Sequence, residues 1–230
     1  MFPFVKISAG LDFQTLVEHR FRPPIAFRTI DHLRNWMAEH DLRETSIRYK
    51  KRREIEAELC FVVEGKVTTP LGALHYSQVW AHVNFGSYRA ACERYVEMRY
   101  GSGVDLTEHD VDHAVSSKHL RQHWPGAWIN IFYAENGINR SVGAMLEKTL
   151  LPPVENKILF NLESLLKLFY EKRGQKLAAK HVRGYFISAC NEAFIVSHDN
   201  PDLPTAINII SARSVFNGIA GEYDPELVAF

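Results

Sequence analysis

A single segment in the second half of the chain restricts its fold more than any other, because three element signals follow one another there. Residues Glu108–Ser116 are predicted as a first strand, and the apolar, β-prone run Trp128–Tyr133 as a second. His119–Gly126 between them is predicted as a loop. From Asn139 the apolar residues recur at helical spacing, and Pro152-Pro153 ends that helix. The predicted order is therefore strand, loop, strand, helix.

The same segment carries side chains that suit the hydrolysis of a phosphodiester. Asp112 and His113 are adjacent in the first predicted strand, Asn130 lies in the second, and Asn139-Arg140 opens the helix. Carboxylate and amide oxygens are hard ligands for Mg²⁺ or Mn²⁺, and a histidine that stays off the metal can accept a proton near neutral pH. The reaction needs a metal to neutralise the developing charge and a base to activate water.

Asp110-Val111-Asp112-His113, Asn130 and Asn139-Arg140, taken with their spacing, resemble the HNH endonuclease family. The resemblance is to its Asp-His-Asn branch, which includes the HNH domain of the RNA-guided CRISPR nuclease. It covers residues 106–150 only, and it implies a ββα-metal fold for them. Many members also carry Cys-x-x-Cys pairs that clip the finger together. This sequence has none, so packing must hold the finger.

The resemblance implies a role for each residue of the motif. Asp112 and Asn139 would hold one divalent cation, with Mg²⁺ favoured, Mn²⁺ acceptable and Zn²⁺ less suited. His113 would be the general base that activates water, on the opposite side of the strand from Asp112. Asn130 would brace the loop and hold His113 by a hydrogen bond, and Arg140 would contact a phosphate oxygen. In-line attack would leave a 5′-phosphate and a 3′-hydroxyl.

Two basic stretches are candidates for contact with nucleic acid. The run Arg48–Arg53 is partly neutralised by the acids at Glu54–Glu58, and it also fits a solvated helix face. Lys plus Arg equals Asp plus Glu at 27 each, so binding must come from a local patch and not from a general positive field. The second stretch lies in the predicted loop beside the motif and comprises Lys118, His119, Arg121 and His123.

The whole sequence predicts an α+β fold, in which the finger is embedded in a mostly helical protein with a small N-terminal β region. Gly101-Ser102-Gly103 marks a boundary between an N-terminal region, 1–103, with a role in substrate binding, and the nuclease module, 104–153. A C-terminal helical region, 154–230, follows. Helical spacing covers 30–58, 86–100, 155–172, 177–198 and 205–219, and short strands are predicted within 61–84.

The cysteines and the apolar runs indicate where the protein works. Cys60, Cys92 and Cys190 are widely spaced and form no metal or disulfide pattern, which indicates free thiols in a reducing cytoplasm. The sequence starts without a signal-peptide pattern, and no run reaches the roughly 18 apolar residues of a membrane span. We therefore expect a soluble cytoplasmic protein with no membrane partner.

The motif predicts a metal-dependent endonuclease that cleaves DNA. Two alternatives stay open: an RNA-cleaving toxin or defence nuclease, and a non-catalytic nucleic-acid-binding protein that uses the finger as a scaffold. Family members that cut both strands often act as dimers, so a homodimer is compatible with the motif. Within it, Asn136 is a rival to Asn139 for the metal. In another reading, His109 joins Asp110, Asp112 and His113 in a metal-hydrolase cluster.

Overall fold

The computed structural model of the chain describes residues 23–47, 58–69, 71–137, 139–140, 153 and 155–159. This part of the chain forms one seven-stranded antiparallel sheet, with three helices of which both ends are described. A further helix begins directly after the sixth strand, at residue 136. The elements in chain order are β1 (Pro24–Phe27), α1 (Ile30–Glu39), β2 (Leu42–Ser46), β3 (Cys60–Thr69), β4 (Gly72–His82), α2 (Tyr88–Tyr100), β5 (His109–His113), α3 (Ser117–His123), β6 (Trp128–Glu135) and β7 (Lys157–Leu159).

Strand β6 joins the two halves of the sheet. The strand order is β2-β3-β4-β6-β1-β7, and β5 pairs with β6 off this path. One edge of β6 pairs with β4, through contacts that include Val79 with Ile131. Its other edge takes β1 as far as Ile129 and β5 from Ile131 onward. Strands from both sides of Gly101–Gly103 therefore belong to one sheet.

The expected mostly helical fold is wrong, because a curled antiparallel half-barrel dominates the part of the chain that the structure describes. β3 and β4 span 10 and 11 residues and form a continuous hairpin, where the sequence predicted short, broken strands. Gly65 does not interrupt β3. A Cβ at that position would lie 2.8 Å from Leu42 Cδ2, so the glycine lets β2 approach closely. Residues 42–46, expected within a helix, form β2 against β3 instead.

Other elements agree with their sequence signals. α1 buries Leu33 and Trp36 as the spacing predicted, and Thr29 caps it by accepting a hydrogen bond from the His32 amide at 3.4 Å. α2, β5 and β6 lie where helix and strands were predicted. The predicted loop forms the short helix α3 instead, because the Ser116 hydroxyl accepts a hydrogen bond from the His119 amide and caps its first turn.

Several predicted features lie outside the described residues: the basic run Arg48–Arg53, the motif helix beyond Arg140, and the helices expected after residue 160. The helix expected from residue 155 is wrong at its start, because Lys157–Leu159 forms β7 against β1. Among the described residues, no helix has the length and apolar character needed to cross a membrane.

Two helices cover opposite faces of the sheet and define its two cores. On the α1 face, Trp36 of the helix packs against Phe27, and the core continues through Phe61, Trp80 and Trp128. On the α2 face, the smaller side chains of that helix pack on aliphatic strand residues, which include Val62, Val79, Val111 and Ile131. Each fully buried side chain of this size contributes about 1.5–3 kcal/mol to folding. The sheet is therefore buried on both sides near β6.

Candidate functional site

The register between β5 and β6 decides which way each motif residue faces. His113 pairs with Ile131, and Asp112 pairs with Phe132. Directly paired residues of an antiparallel sheet share a face, and Ile131 belongs to the core beneath α2. His113 therefore lies on the α2 face and Asp112 on the α1 face. This confirms the expectation that the two side chains point to opposite sides of the strand.

His113 is buried against the start of α2. Its exposed fraction is 7%, and its Nε2 atom is buried. The Tyr88 ring covers it, with 4.3 Å between the ring centroids and 53° between the ring planes. The imidazole is therefore closed to solvent in this conformation. Base catalysis at His113 requires the Tyr88 ring to move aside.

Asn130 faces away from His113. It pairs with Trp80 on the α1 face, and its exposed fraction is 0%. Within the described chain, neither Oδ1 nor Nδ2 of its amide has a hydrogen-bond partner, so the predicted bond to His113 is not made. A backbone bond links the strands there instead, since the Ala114 amide donates to the Asn130 carbonyl at 2.9 Å. Gln78 Nε2, on the same face of β4, is also buried without a partner among the described residues.

The helix that follows β6 returns alongside β5. The Asn136 amide donates to the Glu108 carbonyl at 3.0 Å, at the start of β5. Arg140 donates to Asp110 twice, from Nε to Oδ2 at 3.2 Å and from Nη2 to Oδ1 at 3.4 Å. Asn139, which is half-buried, is therefore held beside the strand that carries the motif acids. Arg140 is engaged by a carboxylate, where the sequence predicted a contact with phosphate.

Arg89, in the first turn of α2, is a second guanidinium near the motif acids. Its Nε donates to the Tyr88 hydroxyl at 3.4 Å, and its Cζ lies 5.9 Å from the centroid of that ring. The pKa of Arg89 is raised above its ordinary value, first by the hydrogen bond to Tyr88 and more weakly by the charges of Asp110 and Asp112. The side chain therefore lies within electrostatic range of both acids.

The four predicted nucleic-acid contacts lie on α3 and not in a loop. Lys118 and Arg121 are exposed and three residues apart, which places them on one side of the helix. His119 and His123 are stacked, with 4.9 Å between their ring centroids. Leu120 is fully buried and anchors the helix. Contact of these four side chains with nucleic acid stays a prediction.

The predicted metal ligands fit a hard divalent cation by their chemistry, because Asp112 supplies a carboxylate and Asn139 an amide oxygen. Within the described ranges, no three His, Cys, Asp or Glu side chains are grouped so that they could hold a metal ion. The alternative cluster of His109 with Asp110, Asp112 and His113 is therefore not formed. These four residues are consecutive or nearly so on β5, and strand alternation divides them between two faces.

Sequence reasoning missed Tyr88 and Arg89 as neighbours of the motif. The helical spacing of Gly86–Tyr100 places Tyr88 on the side of α2 that packs inward, which agrees with its partial burial. That the ring would cover His113 depends on how α2 packs across the sheet. No pattern in either segment contains that information.

Comparison with known proteins gives no further guide, because no protein-family model, no curated protein and no solved structure matches the chain. The choice of a function therefore depends on the residues and contacts of this chain.

Proposed function

We propose that this chain is a metal-dependent endonuclease of the HNH type that hydrolyses phosphodiester bonds in DNA. In this proposal Asp112 and Asn139 hold one divalent cation, with Mg²⁺ favoured over Mn²⁺ and Zn²⁺, and His113 is the general base. The supporting observation is the contact between Arg140 and Asp110. Arg140 directly follows Asn139, and Asp110 lies two residues before Asp112. The contact therefore brings together the two segments that carry the proposed metal ligands, although they are far apart in the sequence.

The edge of β5 opposite β6 supports joint action by residues on opposite faces. Of the described strands, only β6 pairs with β5, so the other edge of β5 is not occupied by a described strand. Adjacent side chains on a strand diverge, but a group placed at its edge can be approached from both faces. A phosphate at this edge would have Asp112 on one side and His113 on the other.

The chemistry then divides among the residues as follows. A bound divalent cation would supply charge neutralisation at the phosphate and at the leaving oxygen. His113 takes a proton from water, whose oxygen attacks phosphorus opposite the 3′-oxygen. The bond to the 3′-oxygen breaks, and that oxygen takes up a proton from solvent. Arg140 holds Asp110 in place and balances its charge, which gives Asp110 a supporting role beside the proposed metal ligand Asp112.

Cleavage of supercoiled plasmid in Mg²⁺ tests the assignment of His113. We expect His113→Ala to lower the cleavage rate by at least about 100-fold, because a general base contributes on the order of 10²–10⁴ to a rate. Free imidazole should restore part of the activity by filling the space that the substitution leaves. His75→Ala, at an exposed histidine of β4, is the matched control and should cleave as the wild type does.

The result is interpretable only if the variant folds, since His113 is buried. Circular dichroism and a thermal melt of His113→Ala supply that check, and His113→Asn offers a smaller change in shape. Wild-type activity in a folded His113→Ala protein would contradict the proposal.

A parallel assay on DNA and on RNA tests which nucleic acid the protein cleaves. Plasmid DNA and total RNA are incubated in parallel with Mg²⁺, Mn²⁺, Zn²⁺, Ni²⁺ or a chelator, and the product ends are labelled. We expect DNA cleavage that the chelator abolishes, and a 5′-phosphate with a 3′-hydroxyl. Cleavage of RNA alone would favour the toxin alternative. Tight DNA binding without cleavage in any metal would favour a non-catalytic scaffold.

We propose that the enzyme is cytoplasmic, because its described cysteines are buried free thiols. Cys60 and Cys92 are free thiols buried in the core beneath α2. Burial raises the pKa of Cys60 to about 12, so the thiol is protonated and unreactive near neutral pH. Unpaired buried thiols are typical of proteins from a reducing compartment.

A further inference from the structure

The contact between Arg140 and Asp110 leaves one role in the proposed site without a residue. Besides the cation, a positively charged side chain on a non-bridging phosphate oxygen would stabilise the charge that builds up there during attack. Arg140 was the predicted residue, but within the described chain it donates two hydrogen bonds to the Asp110 carboxylate. If Arg140 left Asp110 to bind phosphate, the Asp110 carboxylate would lose its ion pair while it lies close to the carboxylate of Asp112. Another cation in the same region would avoid this cost.

Arg89 is such a cation, and it is placed next to the residue that covers His113. It is exposed, and it lies in the first turn of α2, directly after the tyrosine whose ring covers His113. Its hydrogen bond to the Tyr88 hydroxyl, at 3.4 Å, is near the long limit for such a bond and is therefore weak. The first turn of α2 contains no acidic residue.

Among the residues that the structure describes, no carboxylate forms an ion pair with Arg89. Among the described residues its only hydrogen-bond partner is the Tyr88 hydroxyl, and Glu93, one helical turn further on, makes no ion pair with it. Asp110 and Asp112 act on Arg89 only through space. In the proposed site Asp110 is balanced by Arg140, and a cation balances Asp112. The charge of Arg89 is then left to attract a phosphate.

We propose that Arg89 binds the scissile phosphate, and that it does so by exchanging the Tyr88 hydroxyl for a phosphate oxygen. This inference rests on the proposed function and names the phosphate-binding residue of the same site. A guanidinium bonded to phosphate makes two charge-assisted hydrogen bonds, which are about twice as strong as neutral ones. The exchange also releases Tyr88 from its bond with Arg89. The ring that closes His113 is then free to turn away when substrate is present.

Kinetics of three arginine variants test the inference on the full chain with plasmid DNA and Mg²⁺. We expect Arg89→Gln to lower kcat/KM by about 100-fold, and Arg89→Lys to recover part of the loss because it keeps the charge but not the planar fork. Arg140→Gln should lose less than Arg89→Gln. Arg99→Gln, an exposed arginine at the far end of α2, is the control and should match the wild type.

Salt dependence of DNA binding separates phosphate contact from a structural role. Binding is measured without metal, so that cleavage does not interfere. Loss of one phosphate contact lowers the slope of log Kd against log salt by about 1. We expect that change for Arg89→Gln and none for Arg99→Gln. A tyrosine variant, Tyr88→Phe, keeps the ring but removes the hydroxyl, and should bind DNA at least as tightly as the wild type.

The outcomes distinguish this inference from the proposed function. If the wild type cleaves DNA and Arg89→Gln matches it in kcat/KM and in salt slope, the assignment of Arg89 is overturned while the endonuclease stands. If the wild type binds DNA but cleaves nothing, the endonuclease fails, and an unchanged slope for Arg89→Gln would overturn the phosphate contact as well. Absence of DNA binding by the wild type overturns both.

Discussion

Asn130 shows a conflict between stability and the requirements of the proposed site at a single residue. Its amide is buried in the centre of the sheet beside Trp80 without a hydrogen-bond partner among the described residues, and such an unpaired group costs about 1–3 kcal/mol. Unpaired buried polar groups in folded proteins often mark functional positions. Asn130 shares the α1 face with Asp112, and Phe132 lies between them. Retaining the amide there is consistent with a use in the site.

We expect Asn130→Leu to raise the free energy of unfolding by about 1 kcal/mol, because an apolar side chain of similar shape replaces an unpaired amide. The same variant should cleave DNA at least about tenfold more slowly if the amide serves the site. Urea denaturation and the plasmid assay measure the two effects. Gln78→Met, at the other buried amide of this face, is the matched control: it should stabilise the fold without slowing cleavage.

A loss of stability in Asn130→Leu would show that the amide has a partner such as a bound water, and would contradict this interpretation.

The prediction that Asn130 holds His113 failed for a reason that applies to any pair of strands. The alternation of side chains along one strand can be predicted from sequence, and it correctly placed Asp112 and His113 on opposite faces of the sheet. The register between two strands decides which residues of each share a face, and a shift by one residue reverses the answer.

At the scale of elements, the sequence predicted whether a segment forms a helix or a strand better than it predicted where that element begins and ends. α1, α2, β5 and β6 carry clear spacing or β-prone runs and were found where expected. The β3–β4 hairpin is longer than predicted because Gly65, which is typical of a break, is a point of close approach to β2. α3 replaces a predicted loop because its seven residues give little periodicity and the side chain of Ser116 caps its first turn. Short elements are decided by caps and packing more than by pattern.

A half-buried acid contact links β2 to β3 and should make their pairing respond to pH. The Thr45 hydroxyl donates to Glu64 Oε1 at 2.7 Å, and Arg43 Nη2 lies 3.2 Å from the same oxygen. The hydrogen bond from Thr45, and then the contact with Arg43, hold the pKa of Glu64 below its ordinary value of 4.5. A lowered folded-state pKa gives stability that is present above the ordinary value and is lost as pH falls through the folded-state pKa.

We expect Thr45→Val to lower the free energy of unfolding by about 1 kcal/mol at pH 7, since one hydrogen bond to a charged group is removed. The difference from wild type should shrink as pH falls below 4.5, because protonation of Glu64 weakens the same contact in the wild type. Urea midpoints at several pH values measure this. Thr68→Val, at an exposed position of β3, should show no such dependence. A constant difference across pH would assign the loss to packing.

At the scale of the whole molecule, one sheet holds together what the sequence divided into modules. The predicted boundary at Gly101–Gly103 falls where Gly101 and Gly103 adopt left-handed backbone angles, with φ of 86° and 101°, so the local signal was sound. The chain nevertheless returns to the same sheet through β5 and β6. Turn signals report a change of direction, and long-range strand pairing decides whether a new unit begins.

Because the proposed metal ligands lie on segments distant in sequence, binding of a cation should stabilise the whole fold. We expect Mg²⁺ or Mn²⁺ to raise the Tm of the wild type, since a ligand at about 100 times its Kd adds about 2.7 kcal/mol to the native state. Asn139→Ala should lose most of this increase, and Asn136→Ala, at the rival position, should keep it. Differential scanning calorimetry with and without chelator measures both. An equal increase in all three proteins would place the cation elsewhere.

β6 is bordered on one edge by two separate strands, β1 up to Ile129 and β5 from Ile131. One residue inserted between these two points would reverse the faces of the β6 residues beyond it, so Ile131 and its partner His113 could no longer both lie on the α2 face. Changes in the side chains of β6 can be accommodated by repacking, whereas an extra residue would require a β-bulge in the middle of the sheet. We expect related sequences to vary in the composition of this strand and to keep its length constant.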